Sequence, residues 1–409
     1  MSEVIIHLQL LFLIPVGFFL VYLAALTLLA LMAKQIKVFK EEYQKKFAIV
    51  IPAHNEEHNI AKTVHSALSL EYPQEKFTVI VVADNCTDQT ASIAKVAGAK
   101  VYERVDNTLR GKGYALRWIF DTIILENRFE AVVVVDADTT MDRNFLTGMN
   151  FYLNRGAVSL QSTNIVETGS ASWSATMIRI SFLLYNFIRP LGRRVLGLPM
   201  GLRGNGMCLA IDTLKDVPWN VYSLAEDVEY GIQLLLNNKP TYFAPEAIVY
   251  ATMPQKTENA QSQRARWEGG RVSLIQKYSI PLLKAAWNHK SYTYFDTLVD
   301  LITPSIVNMN AVVMAMVILN AIAALAGVNH AYTYLFWWLT AGLCALFHLF
   351  LGLFTAGADK ALYVALISVP RYFLWKIGLY FHILKGERQK GWIRTTRETA
   401  QSSNSHKTL

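Results

Sequence analysis

The sequence predicts an α/β domain set between apolar membrane helices, on three observations. Strand-like and helix-like stretches alternate from Phe47 to about Tyr250, the pattern of a parallel sheet with helices on both faces. One strand, Val132-Val133-Val134-Val135, is an unbroken β-branched run, as expected of a strand buried on both faces. Long apolar runs occupy both ends of the chain.

The valine strand stops at Asp136-Ala137-Asp138. Acids at the carboxyl end of such a strand point into the crevice where open α/β sheets bind ligands. The pair can hold a divalent metal through oxygen, and the metal can hold a diphosphate. The alternative is an acidic turn after a strand.

Hydrophobic residues make up 53% of the 409 residues and charged residues 17%, too apolar for an ordinary soluble protein. The excess sits at the ends, so the chain reads as a membrane protein with a soluble middle. A net charge of +8 suits anionic lipid and an anionic substrate. The basic residues follow no RNA-reading or helix-turn-helix pattern, so no nucleic-acid partner is expected. Cys86, Cys208 and Cys344 are far apart and show no metal-ligand spacing, which points to a reducing compartment without a disulfide framework.

In chain order, Val4 to Met32 is long enough to span a bilayer. It lacks a basic leader and a small-residue cleavage site, so it reads as a retained anchor. Lys34, Lys37 and Lys40 follow, which places the next domain in the cytoplasm. Strands are expected at Phe47–Pro52, Phe77–Val82, Val101-Tyr102, the valine run, Ala157–Gln161, Met207–Ile211 and Ile248–Tyr250. Helices are expected after His54-Asn55-Glu56-Glu57, after Thr87 or Asp88 as cap, from Gly111-Lys112-Gly113 to about Leu125, and from Glu226-Asp227 to about Leu236. Trp173 to Leu198 mixes apolar residues with Arg179, Arg189, Arg193 and Arg194. It is read as an amphipathic helix in the membrane interface, the alternative being a helix packed on the sheet. Gln261 to Lys277 reads as a polar helix. Leu301–Ala326 and Leu335–Phe354 are each long enough to span. Residues 361–385 read as interfacial, because their apolar run is broken by Pro370, Arg371 and Lys376 and a basic tail follows. The expected organisation is an anchor over 1–34, an α/β domain over 35–278, membrane and interfacial helices over 279–384, and a basic cytoplasmic tail over 385–409.

With these pieces placed, the chain resembles the membrane-bound family 2 glycosyltransferases, of GT-A fold. The motifs are Ile51-Pro52-Ala53-His54-Asn55-Glu56, Ala83-Asp84-Asn85, Asp136-Ala137-Asp138, Glu226-Asp227 and Gln263-x-x-Arg266-Trp267. Each is weak singly; together, in this order, they resemble cellulose, chitin, hyaluronan and poly-N-acetylglucosamine synthases. The resemblance implies a mixed Rossmann-like sheet and inverting transfer from a UDP-sugar, with Mg²⁺ or Mn²⁺ as cofactor. It implies that Pro52, Asn55, Glu56, Asp84, Lys112, Asp136 and Arg266 meet the nucleotide sugar. Asp136 and Asp138 would hold the metal. Asp227 would be the general base with Glu226 beside it, and Gly204, Asn205, Gly206, Gln263 and Trp267 would meet the acceptor. Ala83 stands where many members carry a first acid, leaving Asp84 as the acid of that motif. One span before the domain and two or three after it are fewer than self-exporting synthases carry. The expected acceptor is therefore a growing glycan, exported with partner proteins, or alternatively a membrane lipid.

Overall fold

The computed structural model describes residues 7–33, 44–167, 173–252 and 257–368, with side chains throughout except at 167, 173–175, 257–267 and 368. One eight-stranded sheet carries the middle of the chain. Its strands are β1 (Phe47–Ala53), β2 (Phe77–Asp84), β3 (Lys100–Arg104), β4 (Ala131–Val134), β5 (Thr139–Met141), β6 (Ser159–Glu167), β7 (Met207–Ala210) and β8 (Thr241–Thr252). Their order is β3-β2-β1-β4-β7-β6-β8-β5. The β3-β2-β1-β4 half is parallel, as the alternation predicts. The other half is mixed, with β7 antiparallel to both β4 and β6, and β5 antiparallel to β8. This is the mixed sheet that the resemblance implies; alternation by itself indicates only the parallel half. A short strand buried on both faces carries no mark of its direction.

The valine run explains why the acid pair is so firmly placed. Val132 to Val135 are fully buried, and successive side chains enter opposite cores. Val133 and Val135 pack with Ile60, Val64, Phe145 and Met149 on one face. Val132 and Val134 pack with Leu116, Ile119, Phe120 and Leu234 on the other. Each buried valine contributes about 1.5–3 kcal/mol, so the strand end that carries Asp136 is rigid on both sides.

Among the described residues, three helices are long and apolar enough to cross a membrane: Leu10–Leu31, Ile306–Leu325 and Ala331–Thr355. The first is tied to the other two by polar groups, since Gln9 Oε1 accepts from Asn320 Nδ2 at 2.8 Å and from Trp338 Nε1 at 2.7 Å. The span expected from Leu301 begins later. Residues Tyr292–Ile302 form a separate helix. Pro304 discourages helix at Thr303, and Ser305 then caps the span by accepting from Asn308 N. After the last span, a short helix Lys360–Ala365 is capped by Asp359. The rest of the segment read as interfacial, with the basic tail, lies outside the described residues, as do Lys34, Lys37 and Lys40.

The basic segment is corrected more strongly. It forms a helix Trp173–Leu183, a π-helical turn Leu184–Ile188 and a helix Arg189–Val195. Arg189 and Arg193 do not face a membrane surface; they are 4% and 1% exposed. Arg193 pairs with Asp296 and, at 2.8 Å, with Asp300, while Arg189 Nε lies 2.6 Å from Asp300. Tyr22 of the first span donates to Asp296 at 2.9 Å. The helix lies so close to that span that a Cβ at Gly192 would sit 2.1 Å from Leu26 O. Periodicity showed the arginines on one face but not the two aspartates, a hundred residues on, that draw this face inward.

Burial alone would raise the Asp300 carboxyl, yet Arg189, Arg193, Arg203 and Arg271 around it hold it well below the usual carboxylate range. Asp300→Ala therefore removes the counter-charge of several buried guanidiniums. It is expected to cost about 3–5 kcal/mol, read as a lowered midpoint of thermal unfolding in detergent. An unchanged midpoint would mean that the cluster contributes no stability.

Candidate active site

The acid turn is closed from several sides. Thr139 N donates to Asp136 O at 3.1 Å, and Thr63 Oγ1 donates to Ala137 O at 2.8 Å. Asn205 braces both acids. Its Oδ1 accepts from Asp136 N at 3.2 Å, its Nδ2 donates to Thr139 Oγ1 at 2.9 Å, and Thr139 Oγ1 in turn reaches Asp138 Oδ1 at 3.3 Å. Asn205 was expected on the acceptor side. Its buried carboxamide is hydrogen-bonded to the acid turn, and the residue also lines the cavity described below.

The glycines beside it answer to the same crowding. Gly204 and Gly206 have φ of +79° and +72°, a region that L side chains rarely enter. A Cβ on Gly204 would lie 2.8 Å from Asp227 Oδ2, and one on Gly206 would lie 1.9 Å from Ser162 Oγ. Gly204 thus lets the main chain pass against the carboxylate of Asp227.

Lys112 joins the two ends of the site. It opens the helix Lys112–Glu126, and its Nζ lies 2.6 Å from Asp136 Oδ1 and donates to Gly204 O at 3.2 Å. Burial works against its charge, but Asp136, Glu226 and Asp227 raise its pKa above the ordinary lysine value. Asp227 stands in the first turn of the helix Glu226–Leu236. Burial pushes its carboxyl above the usual range, although the Val228 amide, Lys112 and Arg203 pull the other way. A carboxylate made more basic in this manner suits proton abstraction.

Asp84 ends β2 directly opposite Arg104 of β3. Their side chains meet at 2.6 Å, both nearly inaccessible, and Arg104 continues to Asp106 at 2.9 Å. Sequence reading missed Arg104, although the strand register alone would have placed it there. Next to them, Asp88, expected as a helix cap, accepts from Thr90 N at 3.0 Å, and the helix runs Thr90–Val96.

These residues line a cavity of about 710 Å³. Pro52, Glu56, Asp84, Lys112 and Asp136 form its wall, with Asp138, Gly204, Asn205, Glu226 and Asp227. Asn55 and Gly206 do not. With φ of +57°, Asn55 accepts from Thr87 N at 2.7 Å and clamps the loop after β1 to the loop after β2. The cavity also reaches Tyr185, Arg203, Arg271 and Asp300, and then Leu23, Ile306 and His348 on the three apolar helices. None of these was assigned to the site from the sequence, because they come from seven separated stretches of the chain. Gln263, Arg266 and Trp267 fall in the helix Thr257–Asn288, and their side chains lie outside the described residues. Burial pushes the thiols of Cys86 and Cys208 up, in keeping with packing roles.

For a metal, the fit is partial in an informative way. Among the described residues, no three His, Cys, Asp or Glu side chains cluster tightly enough to hold an ion by themselves. Asp136 and Asp138 offer carboxylate oxygens, and Mg²⁺ or Mn²⁺ commonly completes its shell with water and substrate phosphates. The acid pair fits a metal that arrives with a diphosphate.

Comparison with known proteins agrees with the motifs. A probable glycosyltransferase, YdaM, of Bacillus subtilis is 25% identical over 252 residues, 58% of each chain. The poly-beta-1,6-N-acetyl-D-glucosamine synthase of Staphylococcus epidermidis is 26% identical over 249 residues, again 58% of each. The chain thus spans little more than half the length of these relatives. The 4,4'-diaponeurosporenoate glycosyltransferase of Staphylococcus aureus is 33% identical over 136 residues, covering 32% of this chain and 35% of that one. Among solved structures, the mannosyltransferase PcManGT from Pyrobaculum calidifontis, in complex with GDP-Man and Mn2+, aligns with a TM-score of 0.46 at 17% identity, covering 81% of this chain and 99% of that one. Residues 44–270 match the family model described as glycosyltransferase like family 2. With this match over more than half of its length, and a mixed α/β sheet flanked by membrane-type helices, the chain belongs to the family 2 glycosyltransferases of GT-A fold.

Proposed function

We propose that the protein transfers a sugar, with inversion, from a UDP-sugar to an acceptor hydroxyl at the cytoplasmic face of the membrane, building a glycan. The observation that carries this is one cavity holding the acid pair, a raised-pKa carboxylate and the junction with three apolar helices. Asp84 takes the nucleobase end. Lys112, Asp136 and Arg266 take the diphosphate. Asp227 accepts the proton of the acceptor hydroxyl as its oxygen bonds to the anomeric carbon, and the bond from that carbon to the diphosphate breaks with UDP as leaving group. Glu226 keeps Lys112 charged and so supports the leaving group. Gln263 and Trp267 meet the acceptor, with Gly204 at its edge. Asp136 and Asp138 would hold Mg²⁺ or Mn²⁺, which would supply positive charge to the diphosphate.

A second reading, a lipid acceptor and a single transfer, is favoured by the continuation of the cavity to Leu23, Ile306 and His348. It is also in keeping with a relative named for transfer to 4,4'-diaponeurosporenoate. Supplying purified protein in bilayers with labelled UDP-sugars and sizing the product separates the readings. A ladder of lengthening glycan is expected, and a single labelled lipid would favour the second reading. Equal use of GDP-sugars, or no transfer from any UDP-sugar, would sink the donor assignment.

A further inference from the structure

The inner end of the cavity is built differently from the acid end. Four guanidiniums, those of Arg189, Arg193, Arg203 and Arg271, surround Asp300, and the first two also face Asp296. The nearer two arginines use the aspartates up. Arg189 and Arg193 both lie on Asp300 Oδ1, and Arg193 also holds Asp296. Arg203, whose side chain is 8% exposed, reaches Asp300 Oδ2 only at 3.6 Å. Its guanidinium lies over the Tyr185 ring at 3.8 Å, and among the described residues its buried Nε has no hydrogen-bond partner. Arg271 donates to the main-chain oxygens of Leu301, at 2.7 Å, of Asp300, at 3.2 Å, and of Thr303. Burial and the like charge of Arg189 push its pKa down to about 10. The other carboxylates on this wall are Asp227, committed to the acid end, and Glu268, one turn before Arg271.

A buried guanidinium without a matched carboxylate costs several kcal/mol, and a bound oxyanion offsets that cost through charge-assisted hydrogen bonds. The surroundings say what such an anion is attached to. Beyond the arginines the cavity runs to Leu23, Ile306 and Val307, apolar residues on two of the membrane-type helices. We infer that this end of the cavity binds the phosphate of a lipid, held by Arg203 and Arg271, with the hydrocarbon chain lying between the helices. Arg203 immediately precedes Gly204, which abuts Asp227, so the headgroup lies next to the reacting end. This deepens the proposed function, and rests on it only for the role of the lipid at the acceptor side. Binding itself needs no turnover.

The test uses the full chain in detergent, exchanged against phosphatidylcholine containing a minority of phosphatidic acid, with retained lipid counted by native mass spectrometry. The wild type is expected to retain phosphatidic acid selectively. Arg203→Gln and Arg271→Gln are each expected to weaken that retention about tenfold or more, the loss of one charge-assisted hydrogen bond. Val307→Trp leaves both arginines in place and narrows the tail path. It should reduce lipid retention while UDP binding at the acid end is unchanged, so the inference stays testable if an arginine variant fails to fold. Equal retention in wild type and variants would overturn the inference. So would arginine-dependent binding of UDP or inorganic phosphate without lipid, which would assign the cluster to the donor. If lipid retention depends on the arginines but no UDP-sugar is consumed, the functional reading fails and the lipid site stands. Transfer without such retention isolates the opposite failure.

Discussion

Asp227→Asn is expected to lower turnover by roughly 10²- to 10⁴-fold, the usual worth of a positioned general base, while UDP-sugar binding persists. The amide is nearly the same shape, keeps the helix start and still fits beside Gly204, where Oδ2 lies 2.8 Å from the position of a Cβ. What it cannot do is accept the acceptor's proton. The pH dependence gives an independent check. Burial raises the Asp227 carboxyl, and the base works only when ionised. Activity is therefore present above that raised pKa and lost as pH falls through it. The acid limb of kcat/KM should sit above the ordinary aspartate value of about 3.9. It should vanish in the residual activity of the Asn variant. Substantial turnover in that variant with the limb unmoved would mean that another group takes the proton.

Asp138→Ala should abolish metal-dependent donor binding. Loss of groups that merely orient metal ligands costs about 10- to 100-fold in affinity, so removing a ligand should cost at least that. Calorimetric titration with a UDP-sugar, in Mn²⁺ or Mg²⁺ and then in chelator, reads the effect. Wild type should bind far better with metal, and the variant equally poorly in both. Asp136→Ala serves as contrast, because it also strands Lys112, whose Nζ lies 2.6 Å from the carboxylate. A variant at 138 that keeps full metal dependence would contradict the assignment.

The parts legible in the sequence are those written in consecutive residues. Four valines and two acids give a buried strand and its chemical end. The helix at Lys112 announced itself by glycines, and the helix at Glu226 by its first-turn acids. Strand direction was not legible for β7, whose four apolar residues pack alike either way. Short β5 and the helices Phe145–Leu153, Ile211–Asp216 and Tyr292–Ile302 were missed, the last because its apolar run merges into the following span. Long-range pairings were the least visible. Asp84 with Arg104 could have been found from register, but the grouping of Arg189, Arg193, Arg203 and Arg271 around Asp300 needs the fold. Asn205 shows what motif reading leaves out, since its loop was located for a close main-chain approach while the bonds of its side chain to the acid turn needed the fold.

The contact of Gly192 with Leu26 has a consequence for how the enzyme meets its acceptor. With no room for even a methyl group between the Arg189–Val195 helix and the first apolar helix, the two cannot slide past each other. Because that short helix also brings Arg189 to the wall of the cavity that holds Asp227, under the proposed function the depth of the active centre relative to the bilayer is set by a backbone contact rather than by a tether. Such a centre does not search a volume for its partner. It waits at one height while membrane-held molecules diffuse to it in a plane, and the reach of an acceptor from the lipid surface, more than its affinity, then decides whether it is used.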